Sequence, residues 1–270
     1  MKRIKIFALI LAVLMSLTVL SGCNTEPAES SEPETSEEQS LPAESSSESS
    51  PLITITDMTG KEITLDGPAT RIVALTASDC EILYAIGAGD LLVVRGEYCD
   101  YPAEVLEVPA LQSGDNTNIE QIIALQPQVL IMSTMAQTEE QIAQLEAAGI
   151  KVVVSDAQDI DGVYTAIEMI GVLTGKIEEA ATLVSNMRDT FSTLSTEAAE
   201  KNADGTSKTV YFEVSPLQYG LWTAGSNTFM NEVVEMLGLT NCFADVDGWG
   251  EVSEEQVIEQ IGRASGRERV

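Results

Sequence analysis

Glutamates recur in one short device at two places far apart in this chain. NIEQIIAL spans 118–125 and SEEQVIEQ spans 253–260, each with a polar opener, a Glu two residues on and a Gln directly after it. The pattern starts a helix and places Glu120 and Glu255 in its first turn, where the helix dipole favours a carboxylate and an exposed one can accept a two-pronged bond from arginine. Glu254 is an alternative at the second copy. The plainer reading makes each Glu a helix-capping charge.

The second chemically useful set is aromatic. Tyr98 and Tyr101 lie in EYCDYP after an apolar run, Trp222 follows the run TVYFEV, and Trp249 stands just before the second glutamate device. Ring faces with a few fixed polar groups bind flat or chelate-bearing ligands; packing in the core is the competing role for both tryptophans. Arg95 is one of few bases and could steady an anionic ligand or simply be solvated. Ser78 and Asn116 are candidate polar contacts, and Met132 and Met135 could line a cleft or close off a strand end.

What is missing narrows the chemistry further. There is no histidine, which removes Ser-His-Asp and Cys-His catalysis and the usual imidazole metal site. No GxGxxG or GxxxxGK[ST] loop is present, so no phosphate cradle is implied. Carboxylate pairs say little in a chain of formal charge −29, and that sign makes nucleic acid an unsuitable partner. Cys80, Cys99 and Cys242 have no CxxC spacing; Cys80 and Cys99 are the nearest pair, either bridged or free and buried.

The N-terminus reads as targeting. Lys2, Arg3 and Lys5 precede an apolar run from Ile6 to Leu20 that is short for a membrane span, and Leu20-Ser21-Gly22-Cys23 follows. Residues 1–22 are therefore expected to be a signal segment. Residues 23–51, rich in Ser and Glu, cannot bury enough surface to order themselves and are expected to be a tether.

The remaining chain must supply the elements that position these residues. ITITDMTGKEITL at 53–65 alternates around a Thr-Gly turn and predicts a hairpin. From RIVAL at 71–75 onward, strand-like runs alternate with helical ones through IKVVVS, which predicts an α/β lobe with a parallel sheet over 52–160. Residues 161–200 carry apolar residues at helical spacing, with a possible pause at Gly175, and predict a long strut. A second α/β region follows over 201–260, begun by TVYFEV and NTFMNEVVEML. The tail IGRASGRERV, 261–270, changes composition abruptly and reads as foreign sequence joined to a truncated gene, leaving the second lobe incomplete.

Taken together, RIVALTASDCEILYAIGAGD, GEYCDYP, NIEQIIALQPQVLI, LEAAGIKVVV, IGVLTGKIEEA, LWTAGSNTFMNEVVEMLGLTN and GWGEVSEEQV resemble the substrate-binding proteins of ABC importers for iron-siderophores, haem and vitamin B12. The resemblance implies an α/β fold of two Rossmann-like lobes joined by a long rigid helix, with the ligand in the cleft between them. It implies no catalysis, no cofactor and no metal held by protein side chains. The ligand it implies is a metal chelate, an iron-siderophore first, cobalamin second and haem third, contacted by Tyr98, Tyr101, Trp222, Trp249, Arg95 and Ser78. Glu120 and Glu255 match the positions that dock on arginines of an ABC permease dimer. Leu20 to Cys23 resembles a lipobox, so Cys23 would carry lipid and hold a monomer on the outer face of a bacterial membrane.

Overall fold

The structure, a computed structural model, describes residues 52–135, 137–203, 208–215 and 217–263. The expected signal segment, tether and lipid-bearing Cys23 lie outside the described residues.

Strands β1 (Ile53–Thr56) and β2 (Glu62–Leu65) form the expected hairpin, with Ile55 opposite Ile63. Asp57 locks its turn. One carboxylate oxygen accepts bonds from the Thr59 and Lys61 backbone N–H groups and the Thr59 hydroxyl, while the other accepts from Val154 N in a distant strand.

Strands β3 (Ile72–Ala74), β4 (Leu92–Gly96), β5 (Ala110–Leu111), β6 (Val129–Met132) and β7 (Lys151–Val154) build one sheet in the order β5-β4-β3-β6-β7. Every pairing in it is parallel. The chain winds outward from β3 to β5, returns to the other side of β3 and winds outward again, which is the Rossmann-like order. Alternation explains the burial. Ile72, Ala74, Val129 and Ile131 enter one core, whereas Val73, Leu75, Leu130 and Met132 enter another. A sheet buried on both faces needs strands apolar at every position, as β6 is. Helices α1 (Ala77–Ala85) and α4 (Ile160–Thr174) cover the first face, and α2 (Ile119–Ala124) and α3 (Glu139–Ala147) the second.

The strut expected over 161–200 is two helices, α4 and α5 (Ile177–Lys201). Gly175 sits at φ +73°, a left-handed conformation that ends α4 in the manner of a glycine C-cap. The chain then turns back, so a Cβ on Gly171 would fall 2.4 Å from that of Ala180. Helix α4 therefore belongs to the first lobe's core, and α5 alone, about 37 Å long at 1.5 Å per residue, leads onward.

Beyond α5, β8 (Thr209–Val210) pairs in parallel with β10 (Thr240–Asn241), and β9 (Leu221–Ala224) pairs antiparallel with β11 (Trp249–Val252). TVYFEV is strand only at its first two residues. Its end turns toward β9 instead, through Val214 N to Trp222 O at 2.9 Å. This second region, expected as an incomplete α/β lobe, holds among the described residues two short strand pairs with α6 (Phe229–Met236) and α7 (Glu254–Arg263). Its buried apolar cluster is small, Leu221, Phe243 and Val252. Polar bonds supplement it: Asn241 Nδ2 donates to Ala224 O at 2.7 Å and to Asn231 Oδ1 at 3.1 Å. Helix α7 runs through Arg263, and residues 264–270 of the expected foreign tail lie outside the described residues.

Candidate functional site

In a parallel sheet, the loops that follow the strands all emerge at one edge, and ligands collect where the strand order reverses. Here that switch lies between β3 and β6. Ser133 N, just past β6, donates to the Thr76 hydroxyl just past β3 at 3.1 Å. Ser78 is exposed in the first turn of α1 at this edge, and Met135 is exposed in the loop after β6. Met132 is buried and closes the strand end, so it belongs to the core. Asn116 is exposed in the loop after β5.

The loop after β4 carries Tyr98 and Tyr101, 75% and 65% exposed. Both rings are open to solvent. Arg95 holds this loop from beneath. Its Nε donates to Val108 O at 3.1 Å, and one terminal nitrogen donates to Gly96 O at 3.2 Å and Cys99 O at 2.9 Å. Arg95 was expected to meet ligand or solvent; its guanidinium is turned to backbone carbonyls, which gives it a bracing role. The Tyr101–Pro102 bond is cis.

Trp222 and Trp249 lie on the β9–β11 ribbon. Trp222 is opposite Glu251 and Trp249 opposite Ala224, so both indoles stand on the same face as diagonal neighbours. They are 39% and 46% exposed. Neither is a closed core residue. The four rings thus form two pairs, one on the first lobe and one on the second region.

Around the switch point lies a group the sequence did not single out as functional. Asp79 is completely buried, and neither carboxylate oxygen has a hydrogen-bond partner. Burial pushes its pKa from 3.8 up to about 7; the Ser155 and Thr76 hydroxyls lie near enough to oppose that in part, and the Asp156 charge adds to it. The hydroxyls approach without forming a well-directed bond. The sequence shows it only as the acid after Ser78 at the start of a helical run, because its neighbours Thr76 and Ser155 lie in loops after two different strands. Beside it, Cys80 and Cys99 are buried free thiols.

The two glutamate devices share one geometry. Asn118 Oδ1 accepts from Gln121 N at 2.9 Å, and Ser253 Oγ accepts from Gln256 N at 3.2 Å, so each opener is an N-cap. Glu120 and Glu255 therefore occupy the same second helical position, and both are exposed. Glu254 corresponds to Ile119 and is displaced by one residue around the helix. Near Glu120, an open groove of about 400 Å³ runs between the starts of α2 and α3, lined by Asp115, Glu120 and Glu140 among others.

The periplasmic binding protein family model matches residues 72–264. An uncharacterized ABC transporter substrate-binding lipoprotein of Bacillus subtilis, YvrC, is 34% identical over 95% of this chain and 78% of its own length. Among solved structures, a possible iron-binding, periplasmic solute-binding protein from Staphylococcus epidermidis superposes with a TM-score of 0.61 at 31% identity, covering 71% of this chain and 74% of that one. The periplasmic vitamin B12 binding protein BtuF of Vibrio cholerae gives 0.60 at 28% identity, over 72% and 74%. The chain belongs to the periplasmic binding protein family, whose members are substrate-binding proteins of transport systems. Its α/β fold with a parallel sheet is that of these structures.

Proposed function

We propose that this protein captures a metal chelate of neutral or positive charge outside the cell and hands it to an ABC importer. The observation that carries the reading is the pair of exposed rings on each side, Tyr98 with Tyr101 and Trp222 with Trp249, set against an edge without free cations. No Lys or Arg occurs in 75–78, 97–102, 112–118, 133–138 or 155–159, nor anywhere in 221–252. Arg95, the base nearest that edge, is engaged by carbonyls. Ring faces can grip a large, partly apolar chelate, while an anionic one would meet Glu97, Asp100 and Glu251 unpaired.

A ferric siderophore of the hydroxamate kind, without net negative charge, is the first reading. Cobalamin is the second, favoured by the likeness to the vitamin B12 binding protein of Vibrio cholerae. Ser78 supplies a polar contact at the switch point. Glu120 and Glu255 dock on arginines of the permease dimer, a role supported by their matching helical positions. Lipid on Cys23 holds the protein, as a monomer, at the membrane's outer face, and it carries out no catalysis.

Both tryptophans report on the site, so a fluorescence titration of the protein with a ferric hydroxamate, a ferric catecholate and cobalamin tests the proposal. Saturable quenching by the hydroxamate or cobalamin is expected, with a weaker apparent affinity in Trp222→Ala and in Trp249→Ala, each read through the remaining tryptophan. Saturation by the anionic catecholate alone would overturn the charge argument, and no saturation by any of the three would overturn the chelate reading.

A further inference from the structure

We propose that Cys80 and Cys99 are a modification site: they close into a disulfide that fastens the Tyr98–Tyr101 loop to α1. That this bond is the resident state in the cell rests on the extracytoplasmic placement proposed above; that it can form does not.

The geometry brings the two sulfurs together at the ends of neighbouring strands. Ala74 of β3 is in register with Arg95 of β4, and Cys80 Sγ reaches back from α1 to Ala74 O at 3.7 Å. On the other strand, Cys99 N donates to Gly96 O at 3.1 Å, curling the loop over that same end. Gly96 lies so close to β3 that a Cβ on it would be 2.2 Å from Leu75 O. Both thiols are buried in one cluster, and each perturbs the other's titration, as close neighbours do. Cys242 stands apart in the second region, packed beside Phe243.

Reactivity is divided between the partners. Interaction with Cys80, helped by Gly96 and Arg95, holds the Cys99 thiol below its ordinary pKa, whereas the same interaction and burial push Cys80 up. Cys99 is therefore the first nucleophile. Its thiolate attacks one sulfur of a low-molecular-weight or protein disulfide, forming a mixed disulfide and expelling one thiolate of the oxidant. Cys80 then gives up its proton, attacks the Cys99 sulfur and expels the second. Two cysteine thiols are oxidised, one oxidant disulfide is reduced to two thiols, and the two protons end on those. Because both sulfurs are buried, the oxidant reaches them before folding is complete or when the loop lifts. Oxidising compartments outside the cytoplasm supply such oxidants.

The test uses the full chain in two preparations, one exported by host cells and one reduced and then equilibrated with oxidised glutathione. Each is alkylated without reduction, digested and mapped by mass. A linked peptide pair joining Cys80 to Cys99, lighter by two hydrogens than the free peptides, with Cys242 alkylated, is expected in both. Free Cys80 and Cys99 in both preparations would overturn the proposal. A link in the glutathione sample alone would keep the bond and overturn it as the resident state of the exported protein. Amide exchange across 97–101 should slow by roughly tenfold or more on oxidation; unchanged exchange in the linked protein would refute the fastening.

Discussion

Asp79→Asn replaces the buried carboxyl by a neutral group of the same shape. Asp79 titrates at about 7 in the folded protein against an ordinary 3.8, so the folded state holds a proton that the unfolded state has released between about pH 4 and 7. The stability tied to that proton is fully present below about pH 4 and is lost as pH rises through 7. A gap of about three units corresponds to roughly 4 kcal/mol at about 1.4 kcal/mol per unit, with no solvent screening to reduce it at a group without exposure. The variant should match the parent near pH 4 and exceed it by roughly 2–4 kcal/mol at pH 8. Urea melts of both proteins from pH 4 to 8, compared as a difference, cancel the titration of every other carboxylate. A difference that stays flat with pH, or a variant less stable at pH 8, would refute the account of Asp79 as a desolvated, unpartnered acid.

Asp57→Ala strips the hairpin of the acceptor for four bonds and should cost about 2–4 kcal/mol in denaturant melts. Burial alone would raise the Asp57 pKa, but the bonds from Thr59, Lys61 and Val154 outweigh it and hold it below 3.8; its contribution is present above that value and fades as pH falls below it. Gly96→Ala sets a methyl against Leu75 O, and the forced shift of β4 should cost about 1–3 kcal/mol in the same melts and weaken chelate binding through Tyr98. Glu120→Ala should leave ligand affinity unchanged while lowering transport in cells that carry the permease; a drop in affinity would remove Glu120 from the docking surface.

Local signals recovered local structure. The Thr-Gly turn of the hairpin, the apolar runs of β3, β6 and β7, and the starts of α2 and α7 were all legible because each depends on residues a few positions apart. The break at Gly175 was only half legible: helical spacing continues on both sides of it, and nothing in the spacing says that Gly171 will pack on Ala180. Arg95 was visible as a rare base, but its partners are carbonyls of residues 96, 99 and 108, and a carbonyl has no side-chain signature. Asp79 looked like an ordinary helix-start carboxylate. What makes it unusual is burial among residues far away in sequence. The aromatic pairs were found by type, whereas the shared face of Trp222 and Trp249 required the antiparallel register of β9 and β11.

One bond ties the second region to the first lobe's helical layer and makes a testable link between fold and cleft. Glu232, in the first turn of α6, accepts from Ile160 N at the start of α4 at 2.9 Å. That N–H is one of the orphan donors at a helix start, so the carboxylate both caps α4 and anchors α6. Nearby, Arg188 of α5 lies over the Tyr164 ring at 4.1 Å and pairs with Asp161 at 3.7 Å, so α4, α5 and α6 meet at one corner. Glu232→Ala should remove a charge-assisted bond of about 1.5–3 kcal/mol, reduced toward the lower end because Glu232 is only half-buried. If the corner fixes the spacing of the two aromatic pairs, the loss must appear twice: in faster amide exchange across α6 and in a weaker ligand, with Glu232→Gln restoring part of both. Faster exchange with unchanged affinity would place the corner in the fold alone and outside the machinery that sets the cleft.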